Sequence, residues 1–335
     1  MNVLLIGGTG LISTGIVKHL KARGATITMF NRGQRADRTG DTSIEKITGD
    51  RNNSTDFAQA IGRRRWDVVI DMICFTPAQA EVSIELFQGK CQHFIFCSTV
   101  CTYGVKVPPG VLVDETFPQE PISQYGRDKL ACEKKFLEAH ERGDFAVTVI
   151  RPSSAYGPGG NLIDNLEFNP VAWDRIEKGK PVLIAGDGLG LWVSTHRDDC
   201  GKLFAYAALN PKTFGQCYNA TREQNFTWRE LYRTVGRVLG KPVRAVFMPA
   251  EWIVSNDEKR FGLLNEITQF HGAYTSAKAT RDVPEFVCEI DFYYGAAETL
   301  EDIRARNAWR YCEVDPAYEG MIEIATSIGV KTIEL

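Results

Sequence analysis

The sequence predicts an α/β protein built on a doubly wound parallel sheet, with a smaller C-terminal α+β part. Apolar runs of strand length alternate with helical segments through the first half of the chain, which is typical of parallel strands joined by crossover helices. A glycine-rich turn also lies between the first apolar run and the first helical segment. With 335 residues, the chain is long enough to bury a full core and to divide into two parts.

The glycine-rich turn predicts a dinucleotide site. A strand is expected over residues 2–6, followed by Gly7-Gly8-Thr9-Gly10 and an amphipathic helix from about residue 10 to residue 23. Gly7 permits a tight turn, Gly10 lets the backbone approach a pyrophosphate, and the helix N-terminus attracts its charge. Ser13, at the place of a third glycine, is small enough for close helix–strand contact. The residues of this segment expected to contact the cofactor are Gly7, Thr9, Gly10, Leu11 and Ile12.

The end of the second predicted strand, residues 26–30, favours NADP(H) over NAD(H). An acidic residue here would bind the adenosine ribose and repel a 2′-phosphate, whereas Asn31 with Arg32 and Arg35 would accept that phosphate. The alternative is that both arginines simply face solvent. A third strand, near residues 44–48, brings Asp50 and Arg51 to the same site. Asp50 lies where adenine would be contacted, although a carboxylate is also common in a turn for its own sake.

Thr99, Tyr125 and Lys129 are the candidate catalytic residues. A predicted strand over residues 92–98 delivers Thr99 to its carboxyl end. Tyr125 and Lys129 are four residues apart at the head of a long predicted helix, so they share one face. Because a neighbouring ammonium favours phenolate, we expect Lys129 to lower the pKa of Tyr125 from its usual value near ~10. Tyr125 would then move a proton on or off an alcohol while a hydride is transferred at the same carbon.

Further predicted helices and strands continue the sheet and set the expected domain bounds. A helix is expected near residues 55–64, a strand over 67–71, and a helix that Pro77 starts. Gly143 is expected to cap the helix that carries Tyr125, ahead of a strand over 145–150. We place a dinucleotide-binding Rossmann-type domain over residues 1–165, to which residues 192–220 return. A substrate-binding part is expected over residues 166–191 and 221–335.

Composition and charge exclude several classes of function. A formal net charge of −3 argues against a large electrostatic footprint for nucleic acid or anionic membrane. Nine cysteines form no C-x-x-C pair, and five histidines show no metal-ligand spacing. No apolar run is long enough to span a bilayer, and no secretory signal precedes the first strand. We therefore expect a cytoplasmic protein with reduced thiols and with no metal, nucleic-acid or membrane partner.

With these residues in view, the chain resembles the extended short-chain dehydrogenase/reductase superfamily, in particular its NAD-dependent epimerase/dehydratase group. The resemblance runs over most of the chain and is strong through about residue 220. The motifs that carry it are Gly7-Gly8-Thr9-Gly10, Gly49-Asp50, Ser98-Thr99 with Tyr103-Gly104, Tyr125-x-x-x-Lys129, Arg151-Pro152 with Tyr156-Gly157-Pro158, and Gly186-Asp187-Gly188 with His196 and Asp199. The resemblance implies that Tyr125 is the general acid/base and that Lys129 holds the nicotinamide ribose. It also implies a homodimer formed by two helices from each subunit.

Departures from the group's pattern bear on the reaction. Dehydratases of the group place Asp-Glu after the catalytic Thr, whereas Val100 and Cys101 stand here, so dehydration is disfavoured. Ser154 replaces an Asn that commonly contacts the substrate's pyrophosphate, and Leu191 replaces an Arg that clamps it. Either another residue supplies the charge or the substrate is not a standard nucleotide sugar. Other residues considered for substrate contact are Arg197, Arg222 and Arg244 as cations, and Trp192 and Trp228 as stacking surfaces.

Three functions remain open from the sequence. The first is an epimerase of a sugar or nucleotide sugar, which oxidises a hydroxyl carbon to a keto intermediate and reduces it again on the other face. The second is an NADPH-dependent ketoreductase or dehydrogenase of a sugar-like small molecule, towards which Asn31 and Arg32 lean. The third is a non-catalytic regulator that binds RNA or senses redox state. The intact Thr99, Tyr125 and Lys129 count against that third function.

Overall fold

The computed structural model describes residues 1–34, 41–108 and 110–335. The strands in this part of the chain are β1 (Asn2–Ile6), β2 (Thr26–Asn31), β3 (Glu45–Thr48), β4 (Trp66–Asp71), β5 (Cys91–Cys97), β6 (Ala146–Pro152), β7 (Ser154–Tyr156), β8 (Val182–Ala185), β9 (Leu191–Trp192), β10 (Ser194–His196), β11 (Gln216–Ala220), β12 (Phe226–Thr227), β13 (Arg244–Met248) and β14 (Ile333–Glu334).

The α-helices of the same residues are α1 (Leu11–Ala22), α2 (Ser54–Ile61), α3 (Pro77–Phe87), α4 (Gln124–Glu141), α5 (Ala172–Glu177), α6 (Arg197–Ala207), α7 (Trp228–Leu239), α8 (Ala250–Asn256), α9 (Ala277–Asp282), α10 (Phe292–Ala305) and α11 (Pro316–Ser327). Short 3₁₀ turns lie at Val100–Tyr103, Pro211–Thr213 and Cys312–Val314, and a π-helical turn at Leu264–Thr268. None of the helices described combines the length and the apolar composition that crossing a bilayer requires.

The central sheet has seven strands in the order β11-β6-β5-β4-β1-β2-β3, and all of its pairs are parallel. This confirms the predicted doubly wound sheet. The chain runs outward from β1 through β2 to β3 and then returns to β4 on the other side of β1. Ligands bind beyond the carboxyl ends of the strands at such a switch point. Residues 3–6 of β1 are fully buried, as expected for a central strand covered by helices on both faces.

Local capping explains where the helices of the first part begin. Thr76 and Gln79 form a reciprocal capping box, and Pro77 occupies the first turn of α3, as predicted. Ser123, two residues before Tyr125, caps α4 by accepting the Gly126 N–H with its hydroxyl. At the other end of α4, Arg142 is the C-cap and Gly143 follows it with a φ of 80°. The predicted glycine therefore lies one position beyond the cap.

The later part of the chain contributes both to the main sheet and to a second core. β11 lies beside β6 at one edge of the main sheet, in the segment predicted to return there. A separate three-stranded sheet, in the order β14-β13-β8, packs with helices of the C-terminal region. Ala279, Val283 and Phe286, in or just after α9, pack into the main core although the sequence placed them in the substrate-binding part. The predicted domain boundaries stay a prediction.

Two glycines let α1 and α6 pack at backbone contact. A Cβ atom on Gly15 would lie 2.3 Å from the Arg197 carbonyl oxygen, and one on Gly201 would lie 2.3 Å from the Gly15 carbonyl carbon. Neither position tolerates a side chain unless the helices separate, because the obstructing atoms are backbone. The sequence reading did not identify this contact. It holds α1, and with it the glycine-rich turn, against the segment that returns from the second half of the chain.

We predict that Gly15→Ala destabilises the protein by ~1–3 kcal/mol, since a methyl group forces the two helices apart. Gly320→Ala is the matched control, because Gly320 also lies in a helix but a Cβ there meets no atom within 4 Å. The control should be neutral or stabilising by up to ~1 kcal/mol through the higher helix propensity of alanine. Urea unfolding of both variants measures the difference. Equal midpoints for the two variants would contradict the close-packed helix pair.

Candidate active site

The turn after β1 forms a cradle suited to an anion. Gly7 has a φ of 86°, and a Cβ there would lie 2.6 Å from the Ile73 side chain, so glycine is required. The Ser13 hydroxyl donates to the Gly7 carbonyl at 2.9 Å, which ties α1 to the turn in place of a third glycine. Gly10 is the N-cap of α1 and provides no side-chain cap for its first-turn amides. Those amides therefore suit the pyrophosphate of a dinucleotide.

A cleft of about 260 Å³ extends from this turn to the ends of β2 and β3. Its lining includes predicted cofactor residues and neighbouring apolar side chains: Gly7, Thr9, Gly10, Asn31, Arg32, Asp50, Arg51, Phe30, Ile73 and Phe75. Leu11 and Ile12 open α1 with their side chains turned elsewhere, Leu11 towards Gly160 and Ile12 onto the main core. Arg35, also predicted to bind the cofactor, lies outside the described residues.

The described residues at the end of β2, 31–34, include no carboxylate. The Asn31 side chain accepts the Gly33 N–H at 2.8 Å, which shapes the turn, and Arg32 is exposed on the cleft wall. Asp50 lines the same cleft while its carboxylate accepts the Asn52 N–H at 3.0 Å, so its turn role is present as well. This geometry fits an adenosine ribose with or without a 2′-phosphate.

Arg51 has a structural role that the sequence did not indicate. Its side chain is buried, with Nη2 3.0 Å from Asp71 Oδ2 and 2.7 Å from the Ser83 hydroxyl. Asp71 also accepts the Ile73 N–H at 3.0 Å, which holds Ile73 over Gly7. The ion pair thus fixes one wall of the cofactor cleft, and direct contact of Arg51 with the cofactor stays a prediction.

Thr99, Tyr125 and Lys129 meet at the carboxyl end of the sheet. The Thr99 hydroxyl accepts the Cys101 N–H at 3.2 Å at the start of the 3₁₀ turn after β5. Lys129 is almost fully buried, and its ammonium donates to the carbonyls of Cys74 at 2.8 Å and Cys97 at 2.7 Å. Both acceptors are neutral carbonyl oxygens, so these contacts place the Lys129 side chain at this edge of the sheet without a carboxylate partner.

The expected lowering of the Tyr125 pKa is wrong in this structure. Burial of the hydroxyl raises the pKa of Tyr125, and the nearby Cys97 and Cys101 add to the rise, while Thr99 acts weakly in the other direction. Tyr125 as a whole is 43% exposed, so the burial that raises its pKa concerns the surroundings of the hydroxyl and not the entire residue. Lys129 Nζ lies 5.9 Å from the centre of the Tyr125 ring and points to the two carbonyls. Its charge therefore does not offset the desolvation of the phenolate.

A buried polar network supports this site from below. Arg151 on β6 forms two hydrogen bonds to Glu133 on α4, at 2.9 and 2.6 Å, and a third to the Tyr103 hydroxyl at 2.8 Å. The Ser98 hydroxyl donates to the same Glu133 carboxylate, and the Tyr103 hydroxyl donates to Asn219 on β11 at 2.8 Å. The network therefore fixes the residue before Thr99 against the helix that carries Tyr125 and Lys129. The sequence motifs include Arg151 but give it no partner, and no motif indicates Glu133.

A second cavity, of about 440 Å³, opens beside Thr99 and Tyr125. Apolar and aromatic side chains dominate its lining, which includes Val100, Val105, Ile122, Ile163, Phe168, Trp192, Val193, Leu263, Ile267, Phe270 and Tyr274. The polar lining consists of Thr99, Ser123, Tyr125, Ser153, Ser154, Glu266 and His271. No lysine or arginine lines this cavity among the residues that the structure describes. Residues 263–274 carried no recognisable motif, and only the fold brings them to Thr99.

The predicted substrate residues divide between this cavity and other positions. Ser154 and Trp192 line the cavity, and Trp192 stacks on the buried Trp228 at 4.9 Å, so Trp228 belongs to the core. Arg197 donates to the Pro158 carbonyl and lies outside the cavity lining.

The other two arginines considered as clamps also lie elsewhere. Arg222 is buried and bonds Gln224 at 2.8 Å, whereas Arg244 donates to the Gly179 carbonyl at 3.2 Å. Neither lines the cavity beside Thr99, so the charge missing at Leu191 is not restored by these candidates.

The cysteines and one cluster of possible metal ligands bear on the expected thiol and metal chemistry, and the expectation that no metal binds stays a prediction. All nine cysteines are free thiols. Within the described residues, one group has the spacing of metal ligands, formed by Asp174, Cys312 and Glu313. The Lys178 ammonium lies 2.7 Å from both Asp174 and Glu313, so a side-chain cation already occupies the position between these carboxylates.

We predict that Arg151→Met destabilises the protein by ~3–5 kcal/mol, because it leaves the Glu133 carboxylate buried without its ionic partner. Both side chains are less than 5% exposed. Lys106→Met is the control, since it removes an ion pair to Glu120 whose members are 78% and 57% exposed. Urea unfolding should show a large loss for Arg151→Met and an unchanged midpoint for the control. A shift in Arg151→Met as small as that of the control would contradict the supporting role of the network.

Comparisons with known proteins agree with this geometry. Residues 3–220 match the model of the NAD dependent epimerase/dehydratase family. The chain is 27% identical over 252 residues to 2′-dehydrokanamycin reductase of Streptomyces kanamyceticus, and the aligned segment covers 75% of this chain and 70% of that protein. It is 23% identical over 260 residues to the chloroplast stem-loop binding protein of 41 kDa b of Arabidopsis thaliana, covering 72% of this chain and 64% of that one.

Among solved structures, UDP-glucose 4-epimerase of Thermotoga maritima, determined with UDP-glucose, superposes with a TM-score of 0.74. The superposition covers 92% of this chain and all of the epimerase, at 19% identity, and at that identity it shows the fold alone. The family model, by contrast, spans well over half of the chain and includes the glycine-rich turn, Thr99, Tyr125 and Lys129. The chain therefore belongs to the NAD-dependent epimerase/dehydratase family of extended short-chain dehydrogenase/reductases, which are NAD-dependent enzymes of the oxidoreductase type.

Proposed function

We propose that this enzyme is an NADPH-dependent reductase of a carbonyl group on a sugar-like substrate that carries no nucleoside diphosphate. The observation that carries the proposal is the cavity beside Thr99 and Tyr125, whose described lining has no lysine or arginine. Among the described residues of the lining, one carboxylate is present, that of Glu266, and it repels an anion.

The lining argues against a nucleotide sugar, because the free-energy cost of burying a diphosphate has to be offset by charge-assisted hydrogen bonds. Taking an unpaired phosphate charge out of water costs several kcal/mol, and bidentate arginine contacts normally offset that cost. Ser123, Ser153 and Ser154 offer only neutral hydroxyls here. The structural likeness to UDP-glucose 4-epimerase concerns the fold and does not supply the missing cation.

The protonation state of Tyr125 is compatible with reduction. Since burial raises its pKa, the phenol can donate a proton to a carbonyl oxygen near neutral pH. The name of the reductase from S. kanamyceticus, 27% identical to this chain, points in the same direction.

In this reaction a bound nicotinamide dinucleotide supplies the hydride that reduces the carbonyl carbon. The Thr99 and Tyr125 hydroxyls hold the carbonyl oxygen, and the Tyr125 proton passes to that oxygen as the alcohol forms. Water reprotonates the phenolate that remains, and the buried Lys129 side chain, held by two backbone carbonyls, would hold the nicotinamide ribose.

Dehydration remains disfavoured on the same geometry. Val100 has no acid–base group, and burial raises the pKa of the Cys101 thiol, so neither side chain ionises to expel a hydroxyl near neutral pH.

The expected homodimer through α4 and a second helix stays a prediction.

We predict that Tyr125→Phe keeps NADPH affinity but lowers carbonyl reduction by a factor of ~10²–10⁴, because only the proton-donating hydroxyl is removed. NADPH oxidation with a panel of sugar-like ketones measures turnover, and a fluorescence titration measures affinity. Tyr294→Phe, at a tyrosine that is 71% exposed, is the control. Normal turnover in Tyr125→Phe would overturn the catalytic assignment.

In the parent enzyme, the rate of reduction should not fall through ionisation of Tyr125 up to pH ~10, the ordinary phenol value, because the pKa of Tyr125 is raised above it.

We further predict that Arg32→Ala weakens NADPH binding by ~10- to 100-fold and leaves NADH binding nearly unchanged, because only NADPH has the 2′-phosphate. Arg63→Ala, at an exposed arginine that does not line the cofactor cleft, controls for the loss of one surface charge. Titrations of both variants with both cofactors measure the effect. Equal losses for NADPH and NADH in Arg32→Ala would remove the case for 2′-phosphate recognition.

A further inference from the structure

The π-helical turn Leu264–Thr268 presents one charged side chain to the catalytic cavity. Glu266 and Ile267 from this turn line the cavity, together with Leu263 just before it. π-helical turns are rare and are frequently found at functional sites.

The turn is anchored on both sides, so Glu266 is presented from a fixed backbone. The Thr268 hydroxyl donates to the Asn165 carbonyl at 2.5 Å, and the Thr268 carbonyl accepts the Trp228 indole N–H at 3.1 Å. Leu264 and Thr268 are both buried. A group held on a rigid element can select a ligand without the entropy cost of ordering a loop.

Glu266 itself is exposed and has no ion pair or hydrogen bond within the described part of the chain. Its charge nevertheless reaches the catalytic turn, since it is among the causes that raise the pKa of the Cys101 thiol, after the larger effect of burial. Cys101 bonds Thr99 through its backbone N–H at 3.2 Å. The unpaired carboxylate therefore faces the same space as the reacting groups.

His271 lines the cavity as well, together with the titratable Cys101 and Tyr125. The His271 Nδ1 accepts the Leu191 N–H at 3.0 Å, so that ring nitrogen is committed to the backbone and presents no N–H to the cavity. With no lysine or arginine in the described lining, the Glu266 carboxylate meets no basic side chain there.

Aromatic surfaces surround the same space. Phe168 is 60% exposed and Tyr125 is 43% exposed, and both line the cavity, together with the more buried Tyr274 and Phe270. Exposed aromatic faces next to a carboxylate attract a cation through the ring quadrupole while they contact its apolar carbon frame.

Resting on the proposed reductase function, we propose that Glu266 selects substrates that carry a protonated amine in addition to the reacting carbonyl. The ammonium pairs with the Glu266 carboxylate, the carbon frame packs on the apolar wall, and the carbonyl meets Thr99 and Tyr125. Acidic and phosphorylated carbonyl compounds are repelled by the same carboxylate. Glu266 is thus a specificity-determining residue and takes no part in proton transfer.

The test compares two ketones of similar shape, 4-aminocyclohexanone and the neutral 4-methylcyclohexanone, with the NADP⁺-saturated enzyme. Ligand-observed NMR measures the affinity of each. The parent enzyme should bind the amino ketone at least ~10-fold more tightly, as expected for one charge-assisted contact in a partly enclosed site. Glu266→Gln should remove that preference by weakening the amino ketone alone. Glu258→Gln, which removes an exposed carboxylate outside the cavity lining, should preserve it.

Three results would overturn the assignment: equal affinity of the parent enzyme for the two ketones, an equal loss of both in Glu266→Gln, or no binding of either compound at millimolar concentration. NADPH oxidation with the same ketones is measured in parallel and reports on the proposed function separately. If the amine preference is present but the parent enzyme consumes no NADPH, the reductase proposal fails while the role of Glu266 stands. If both ketones are reduced but the amine preference is absent, the reductase proposal stands and the role of Glu266 fails.

Discussion

The buried ion pair between Arg151 and Glu133 is the interaction on which the catalytic edge of this enzyme depends. It joins β6 of the main sheet to the helix that carries Tyr125 and Lys129, through two hydrogen bonds between side chains that are both less than 5% exposed. Ser98 adds the end of β5 to the same carboxylate. Because buried charges are costly unless every partner is in place, this arrangement has few alternatives. It therefore fixes the distance between Thr99 and the face of α4.

The two cavities both lie along the carboxyl edge of the sheet that this pair stabilises. One begins at the glycine-rich turn and suits a dinucleotide, and the other lies beside Thr99 and Tyr125. Lys129 lies between the strands that border them, held by the carbonyls of Cys74 and Cys97. Among the described residues no carboxylate pairs with it, so its ammonium remains available to a ribose hydroxyl. The fold thus places a cation behind the reacting groups and none within the described lining of the substrate cavity.

The sequence predicted the features that depend on local pattern. Apolar runs indicated six strands of the main sheet, β1 to β6, within a residue or two, and Pro77 marked the start of α3, whereas β11 was not predicted as a strand. The glycine-rich turn and the four-residue spacing of Tyr125 and Lys129 were likewise visible, because each is set by one turn or one helix. Features that arise from contacts between distant segments were not. Gly15 and Gly201 are far apart in sequence, and nothing local indicates that their helices touch.

The Tyr125 pKa and the cavity lining show the same limit at the site. The spacing to Lys129 suggested a lowered pKa, but the direction is set by how deeply the fold encloses the hydroxyl and by where the ammonium points. Glu266 and His271 reach the cavity from a segment more than 100 residues beyond Tyr125 in the chain. Their residue types are common and carry no motif, so only the tertiary fold identifies them.

The most direct test of the reductase account is the nucleotide content of the freshly purified protein, measured by denaturing it and identifying what is released. The account predicts NADP(H) in less than one copy per chain, removable by dialysis, because a reductase exchanges its cofactor in every turnover. One oxidised NAD per chain that survives dialysis would contradict it, since an epimerase must retain its cofactor and regenerate it at the site.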